Sequence, residues 1–465
     1  MSYETRVPLH VVVLPYPSQG HINPLLQFAK RLVSKGVKAT IATTYSTASS
    51  VHSTNVAVEP ISDGFDGSIL AGKEDSFLSS FKENGSRDLS QLLEKYRNSG
   101  NPVSCIVYDA FLPWALEVAK QHGIYGAAFF TNSATVCAIF CCVCRGLLSL
   151  PLKAEDVRLA LPELPEFRFC DLPSFLRRPE SYPAYLNMKM AQFSNLEKAD
   201  WVFCNSFQEL ESEVTEGISD KWPAKLIGPV VPSFYLDARI KEDKGYGASL
   251  WKPLDDKCSS WLETKPPKSV IYISFGSMVS LSPKQTAEIA WALGESHYYF
   301  LWVVRDSQLT LLPEKFTDSF NDEKGIIVPW CNQLELLAHP AVGCFVTHCG
   351  WNSTLEGLSL GVPMVGVPQW TDQLPDAKFI EEVWGVGVRA KEDDDGVVRK
   401  AEFLSCLEEV MAGRRSEEIK KNAAKWRDSA KEAVSEGGSS DTKINDFLEQ
   451  LSIASGTITA RVSLG

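Results

Sequence analysis

The chain has 465 residues, too many for one compact core and enough for two α/β domains of about 200 residues each. Hydrophobic residues make up 44% and charged residues 22%, an ordinary balance for a soluble globular protein. A formal net charge of -12 argues against nucleic acid or an anionic membrane surface as the main partner, since both repel an acidic protein.

Leu9 to Leu14 is a continuous apolar run and predicts a buried strand. Glu4 and Arg6 precede it without a small-residue cleavage site, which argues against a signal peptide. PYPSQGHINP then reads as a loop feeding a helix, with Pro24 in the first turn and an apolar stripe of Leu25, Leu26, Phe28, Ala29, Leu32 and Val33 that ends at Gly36. His21 is thereby expected in a loop at a strand's carboxyl end, where open α/β sheets place their chemistry. Val37 to Thr43 predicts the next strand. Val103 to Tyr108 predicts another, with Asp109 at its carboxyl end and a helix over Trp114 to Gln121. A histidine and an aspartate on one sheet edge fit a base and its orienting carboxylate, and they also fit a loop histidine and a helix-capping aspartate.

Cys137, Cys141, Cys142 and Cys144 cluster in TVCAIFCCVC, but no second ligand pair stands near them. They read as thiols packed in a helix, in keeping with a reducing cytosol. Phe129 to Val143 is too polar, at Thr131, Asn132, Ser133 and Thr135, to span a membrane. Residues 110–235 keep the α/β pattern but become irregular, and their long loops suit either a small-molecule pocket or mobile cover. Candidate lining residues are Phe111, Thr131, Cys137, Phe175, Tyr185 and Met190. The charged stretch Asp237 to Asp256 reads as an interdomain linker, with a second domain beginning near Lys257.

In that second half, Ser269 to Ser274, Tyr298 to Arg305, Gly325 to Pro329, Val342 to Thr347 and Val362 to Val367 predict strands of a parallel sheet. Ser277 and Gly276 follow the first of them. Trp351 to Thr354 are expected to supply the capping side chains of a helix closed by Gly361. His348 before a helix opening with Asn352, Ser353 and Thr354 makes an anion site, and it also makes an ordinary capped helix. Trp330 and Gln333 at one strand end, Glu356 one turn into the helix, and Trp370, Asp372 and Gln373 past another strand offer more. Together they supply a ring for a base, a carboxylate for ribose hydroxyls, donors for phosphate and an Asp/Gln pair for a sugar. Gln373 is expected to face the sugar; the alternative is that it caps a helix beginning near Leu374. Glu392 to Gly396 contains a D-x-D, Asp393 and Asp395, placed in an acidic glycine-ended loop that reads as a solvated turn. Lys400 to Gly413, Ser416 to Glu436 and Asp441 to Leu451 predict helices, the last packing back across both domains, and Ser452 to Gly465 a polar tail.

The stretch from Trp330 to Gln373, with its HCGWNS, the glutamate three residues on and PQWTDQ, resembles the donor-binding signature of plant family 1 UDP-glycosyltransferases. PSQGHINP and VYDAFLPW resemble that family's catalytic-base and dyad segments, and the N-terminal segments are most similar to its family 74 group. The resemblance implies two facing Rossmann-like domains with a cleft between them, the GT-B architecture. Residues 1–240 would bind the acceptor, 241–256 link, 257–440 bind the UDP-sugar, and 441–465 return to the first domain. It implies His21 as base and Asp109 as its partner. Trp330 would stack on uracil, Gln333 and Glu356 hold the ribose, and His348, Asn352, Ser353 and the Ser277 segment hold the phosphates. Trp351, Asp372 and Gln373, with Trp370 beside them, would meet the glucose. Cys331 stands where the family usually has alanine and uses the backbone. UDP-glucose is then a co-substrate of an inverting transfer to a small lipophilic plant metabolite, with no metal or other cofactor, in a cytoplasmic monomer.

Two rival readings come from other classes. A UDP-sugar epimerase of similar architecture needs no His21 and Asp109 pair, and a non-catalytic carrier of hydrophobic ligands needs no intact donor box. A nicotinamide enzyme is disfavoured because no G-x-G-x-x-G follows the first strand.

Overall fold

His10–Leu14 reads HVVVL and is buried along its whole length, the pattern of a parallel strand covered on both faces. It is β1 of the first of two sheets in the computed structural model, which describes residues 9–53, 55–65, 74–314, 316 and 320–456. The other strands of that sheet are β2 (Lys38–Thr44), β3 (Ala57–Ile61), β4 (Cys105–Asp109), β5 (Tyr125–Phe130), β6 (Trp201–Cys204) and β7 (Lys225–Leu226). The second sheet holds β8 (Val270–Ser274), β9 (Tyr299–Val303), β10 (Gly325–Val328), β11 (Val342–Thr347), β12 (Met364–Gly366) and β13 (Gly387–Arg389).

Every recorded pairing within the two sheets is parallel. The strand orders are β3-β2-β1-β4-β5-β6-β7 and β10-β9-β8-β11-β12-β13. Each order reverses direction once, between β1 and β4 in the first sheet and between β8 and β11 in the second. At such a reversal the connections leave toward opposite sides, and a crevice opens outside the carboxyl ends of the two strands. The fold class is therefore two Rossmann-like α/β units.

The first unit comprises Met1–Leu164, Phe175–Leu250 and Glu432–Gly465; the second comprises Pro165–Ser174 and Trp251–Lys431. Glu4, Arg6 and the tail beyond Gly456 lie outside the described residues. The helix Ser439–Ala454 runs past the expected Leu451 and buries Ile444, Phe447 and Leu451 in the core of the first unit, beside Val11, Phe28 and Phe203. The charged stretch after Asp237 is less solvated than its composition implies. Asp237 bonds Arg31, while Asp243 accepts from Gln27 and Lys30, both carboxylates tying the segment to the helix Gln19–Ser34.

Three local expectations are corrected. His21 lies not in a loop but in the first turn of the helix Gln19–Ser34, because Ser18 is extended and its carbonyl accepts the N–H groups of His21 and Ile22. Pro24, expected in the first turn, lies instead in the second turn of that helix, past the start of its hydrogen-bond ladder at Ile22. At the helix Trp351–Leu360 the cap position is Gly350, which has no side chain to cap with, since the chain turns one residue earlier at Cys349.

Asp441, which lies in the first turn of the helix Ser439–Ala454, is buried and accepts from Lys35 at 2.6 Å, Arg239 at 2.7 Å and the Gly437 N–H at 3.2 Å. Burial alone would raise its pKa, but the bonds from Lys35 and Arg239 outweigh it and hold the carboxyl at about 2. The folded value lies below the unfolded one, so the stabilisation is complete above the ordinary carboxylate range and fades as pH falls toward 2. Asp441→Asn is expected to lower stability at pH 7 by about 2 kcal/mol and to flatten the acid limb between about pH 5 and pH 2. Chemical denaturation across that pH range checks it; parallel wild-type and variant curves would remove the residue from the acid response.

Candidate active site

At the reversal in the first sheet, β1 leads through Tyr16 into the helix bearing His21, and β4 ends in Asp109. His21 Nδ1 lies 2.6 Å from Asp109 Oδ2. Asp109 is 1% exposed and His21 17%. The carboxylate is itself held, Oδ1 accepting the Phe111 N–H at 3.0 Å and Oδ2 the Tyr16 N–H at 3.4 Å. A buried carboxylate facing Nδ1 assigns the imidazole proton to that atom and leaves the lone pair on Nε2. This is the arrangement of a general base whose partner also stabilises the imidazolium once it forms.

Of the predicted lining residues, two meet this pair. The Phe111 ring lies 4.7 Å from the imidazole, centroid to centroid, and Thr131 Oγ1 is 3.2 Å from Nδ1. Tyr16, which the sequence reading passed over, adds a ring edge at 5.4 Å. Cys137 Sγ points to the carbonyl of Asn132. Phe175 and Tyr185 stack on each other with centroids 6.0 Å apart, and Met190 packs its sulfur on the Cys144 thiol at 3.6 Å. The cysteine cluster sits in the helix Ala134–Cys144, where burial pushes the thiols of Cys141 and Cys142 up to about 11 and Cys144 to about 12, far from thiolate chemistry.

At the reversal in the second sheet, β8 ends beside Gly276 and Ser277, and β11 beside His348. Cys349 has φ 63, a left-handed conformation that a side chain disfavours. That turn sets His348 next to the amino end of the helix Trp351–Leu360. A Cβ on Gly276 would come within 2.7 Å of the His348 ring and one on Gly350 within 2.5 Å, so the imidazole is cradled between two residues that must be glycine. Burial lowers His348 to about 4 despite Asp372 nearby, so it is neutral at pH 7 and acts as a hydrogen-bonding group, not a cation. Positive potential comes instead from the helix amino end and from Arg305. Arg305, missed in the sequence, donates to the carbonyls of Ser277 and of Val279, and burial lowers its pKa. No carboxylate pairs with it among the described residues.

The predicted donor residues converge one turn further on. Gln333 Nε2 donates to Glu356 Oε2 at 2.6 Å and to Ser353 Oγ at 3.0 Å, while Tyr272 Oη donates to Gln333 Oε1 at 3.1 Å. Tyr272, on β8, is a second residue that the sequence reading did not single out. Asn352 is the second residue of the helix and half-buried. Trp330 follows β10 with its half-buried ring 4.5 Å from that of Trp251. The Cys331 side chain turns inward against Tyr272 Oη, 3.5 Å away. The Trp351 ring is buried against Trp384.

Asp372 is the cap residue of the helix Gln373–Lys378, which opens at Gln373 and not at Leu374. Gln373 Oε1 turns back to accept the N–H groups of Gln369 at 2.9 Å and Trp370 at 3.2 Å. Gln373 therefore opens the helix instead of capping it, and its oxygen braces the loop that precedes it. The D-x-D carboxylates have cationic partners: Asp393 bonds Arg399, and Asp395 bonds Lys284 at 2.7 Å and Arg399 at 3.0 Å.

Comparison with known proteins agrees with this geometry. The family described as UDP-glucoronosyl and UDP-glucosyl transferase matches residues 215–429. UDP-glycosyltransferase 74B1 of Arabidopsis thaliana is 51% identical over 453 residues, 96% of this chain and 98% of its own. Flavonol 7-O-beta-glucosyltransferase UGT74F1 of the same plant is 44% identical over 453 residues, again 96% and 98%. Among solved structures, Os79 from O. sativa in complex with UDP superposes with a TM-score of 0.91 at 38% identity, over 95% of this chain and 100% of that one. Neither the epimerase nor the carrier reading gains support from these relatives. With a donor box on one sheet, a histidine–aspartate pair on the other and relatives matched along nearly their whole length, the chain belongs to the plant family 1 UDP-glycosyltransferases, in the 74 group.

Proposed function

We propose that the protein moves glucose from UDP-glucose to a hydroxyl, or a carboxyl, of a small lipophilic metabolite such as a steroid, triterpenoid or phenolic, forming a β-glucoside. The observation that carries the reading is the 2.6 Å contact of a part-exposed imidazole with a buried carboxylate at the sheet's reversal. The relatives named as glycosyltransferases and the solved relative holding UDP support the donor. In the step, His21 Nε2 takes the acceptor's hydroxyl proton and Asp109 stabilises the imidazolium. The acceptor oxygen bonds to C1 of glucose from the face opposite the phosphate, and the C1–O bond to UDP breaks with its electron pair. Configuration at C1 inverts. The leaving diphosphate meets the amino end of the helix Trp351–Leu360 and the neutral His348. Incubation with UDP-glucose and a panel of phenols, steroids and carboxylic acids tests this by mass. A hexose added to an acceptor is the expected result; UDP-glucose merely bound or isomerised would overturn it.

Charge neutralisation by these groups needs no divalent cation. A chelator is expected to leave activity largely intact, and complete, magnesium-reversible loss would refute metal independence.

Donor choice falls to Asp372 and Gln373. Glucose presents its 4-hydroxyl equatorially and galactose axially, and a hydrogen-bond group left unpaired costs about 1 to 3 kcal/mol. Gln373→Glu keeps an oxygen for the Gln369 and Trp370 N–H groups and replaces the donor by a negatively charged acceptor. It is expected to lower kcat/KM for UDP-glucose about 5- to 150-fold and to narrow the lead over UDP-galactose. Competition between the two donors reads this directly, and an unchanged preference would take the residue out of sugar selection.

A further inference from the structure

Lys189, on the helix Pro183–Ala191, is 5% exposed, an unusual burial for a side chain that carries a full charge. Its ammonium donates to Asn132 Oδ1 at 3.0 Å and stands 5.6 Å from the centroids of both Phe111 and Phe140. No carboxylate lies within ion-pair distance of it among the described residues. Glu211, the buried carboxylate of this region, is held by the N–H groups of Ala134 and Thr135 and by Ser206. Ring faces and one amide oxygen offset only part of the desolvation of a cation, and a matching anion would complete its shell.

The position of this cation ties it to the reaction. Phe111 is the same ring that lies against His21, and Asn132 directly follows Thr131, whose hydroxyl touches His21 Nδ1. The base and the cation thus share both of their neighbouring segments. With a formal net charge of -12, the protein offers an anionic ligand no long-range attraction, so a negative group would be held only by a local cation of this kind.

Resting on the reading of the protein as a glucosyltransferase, we propose that Lys189 receives an acidic group on the acceptor, and that the preferred acceptors are flat hydroxy acids. The carboxylate is placed at Lys189 and the reacting hydroxyl at Nε2 of His21. Glucose is then attached to the hydroxyl oxygen, and the acid stays free.

The test compares 4-hydroxybenzoate and 4-hydroxycinnamate with their methyl esters, in wild type and Lys189→Met, by kinetics and by calorimetric binding of the acceptors. Wild type is expected to prefer the acids and to make phenolic glucosides. Lys189→Met is expected to raise KM for the acids at least about tenfold while leaving the esters nearly unchanged, and Lys189→Arg to retain the preference. Equal losses on acid and ester would make Lys189 a prop for Phe111 and overturn the proposal, as would glucosyl esters as the product. Should wild type bind the acids, lose them in Lys189→Met and yet transfer no glucose, the receptor stands and the transferase reading falls.

Discussion

His21→Ala is expected to lose about 10² to 10⁴ in turnover on an alcohol acceptor while its affinity for UDP-glucose barely changes. The asymmetry follows from where the residue sits. His21 stands at the reversal of the first sheet and contacts Asp109, Thr131 and Phe111, whereas the groups assigned to the nucleotide belong to the second sheet. An alcohol reaches the transition state only by giving up a proton, so its barrier carries the whole loss. A carboxylate acceptor is ionised already at neutral pH and is expected to suffer less. Asp109→Asn is expected to fall in the same direction, because an amide can no longer stabilise the imidazolium. Near-normal turnover of His21→Ala on an alcohol would mean that the pair is a structural contact.

Glu356→Ala is expected to raise the KM for UDP-glucose about 10- to 150-fold, with kcat changed much less. Glu356 is 4% exposed and presents its carboxylate to Gln333, which Tyr272 and Ser353 hold from two further sides. In the role proposed for it, this carboxylate would accept hydrogen bonds from ribose hydroxyls in ground and transition state alike, so the loss is expected to fall on binding. Calorimetry with UDP alone isolates the term. Unchanged UDP affinity in a folded variant would reduce Glu356 to an internal partner of Gln333.

The strands were legible because most are short apolar runs with no competing period: Val342–Thr347 and the helix Trp114–Gln121 match the sequence reading residue for residue. The helix Glu74–Asn98 and β3 were passed over. That helix does carry an apolar stripe, Phe77, Phe81, Leu89, Leu92, Leu93 and Tyr96, but Ser79, Ser80 and Gly85 interrupt it, and β3 carries Glu59 and Pro60 in its middle and is largely exposed or half-buried. β13, only three residues long, offers too little pattern to register. The candidate site residues were picked out by the resemblance of PSQGHINP, VYDAFLPW, HCGWNS and PQWTDQ to the family's segments, whereas residue type alone left His21 and Asp109 open between a base with its orienting carboxylate and a loop histidine with a capping aspartate. What could not be read was which atoms each side chain has left over. Gln373 gives its oxygen to the backbone N–H groups of a tight local turn, while Trp351 buries its ring on Trp384 and His348 is neutral through packing between segments farther apart in the chain. Lys189 and Arg305 escaped for the same reason: a lysine in a helix and an arginine after a strand look like solvated charges until burial is known.

The measurement that bears most directly on the central claim is the anomeric configuration of the product formed from UDP-glucose, read by the proton NMR coupling at C1 of the isolated glucoside. Direct attack by an oxygen that His21 deprotonates, on the face opposite UDP, predicts the β-anomer with one UDP released per glucoside. An α-glucoside, or UDP-glucose consumed by isomerisation with no glucoside formed, would contradict it.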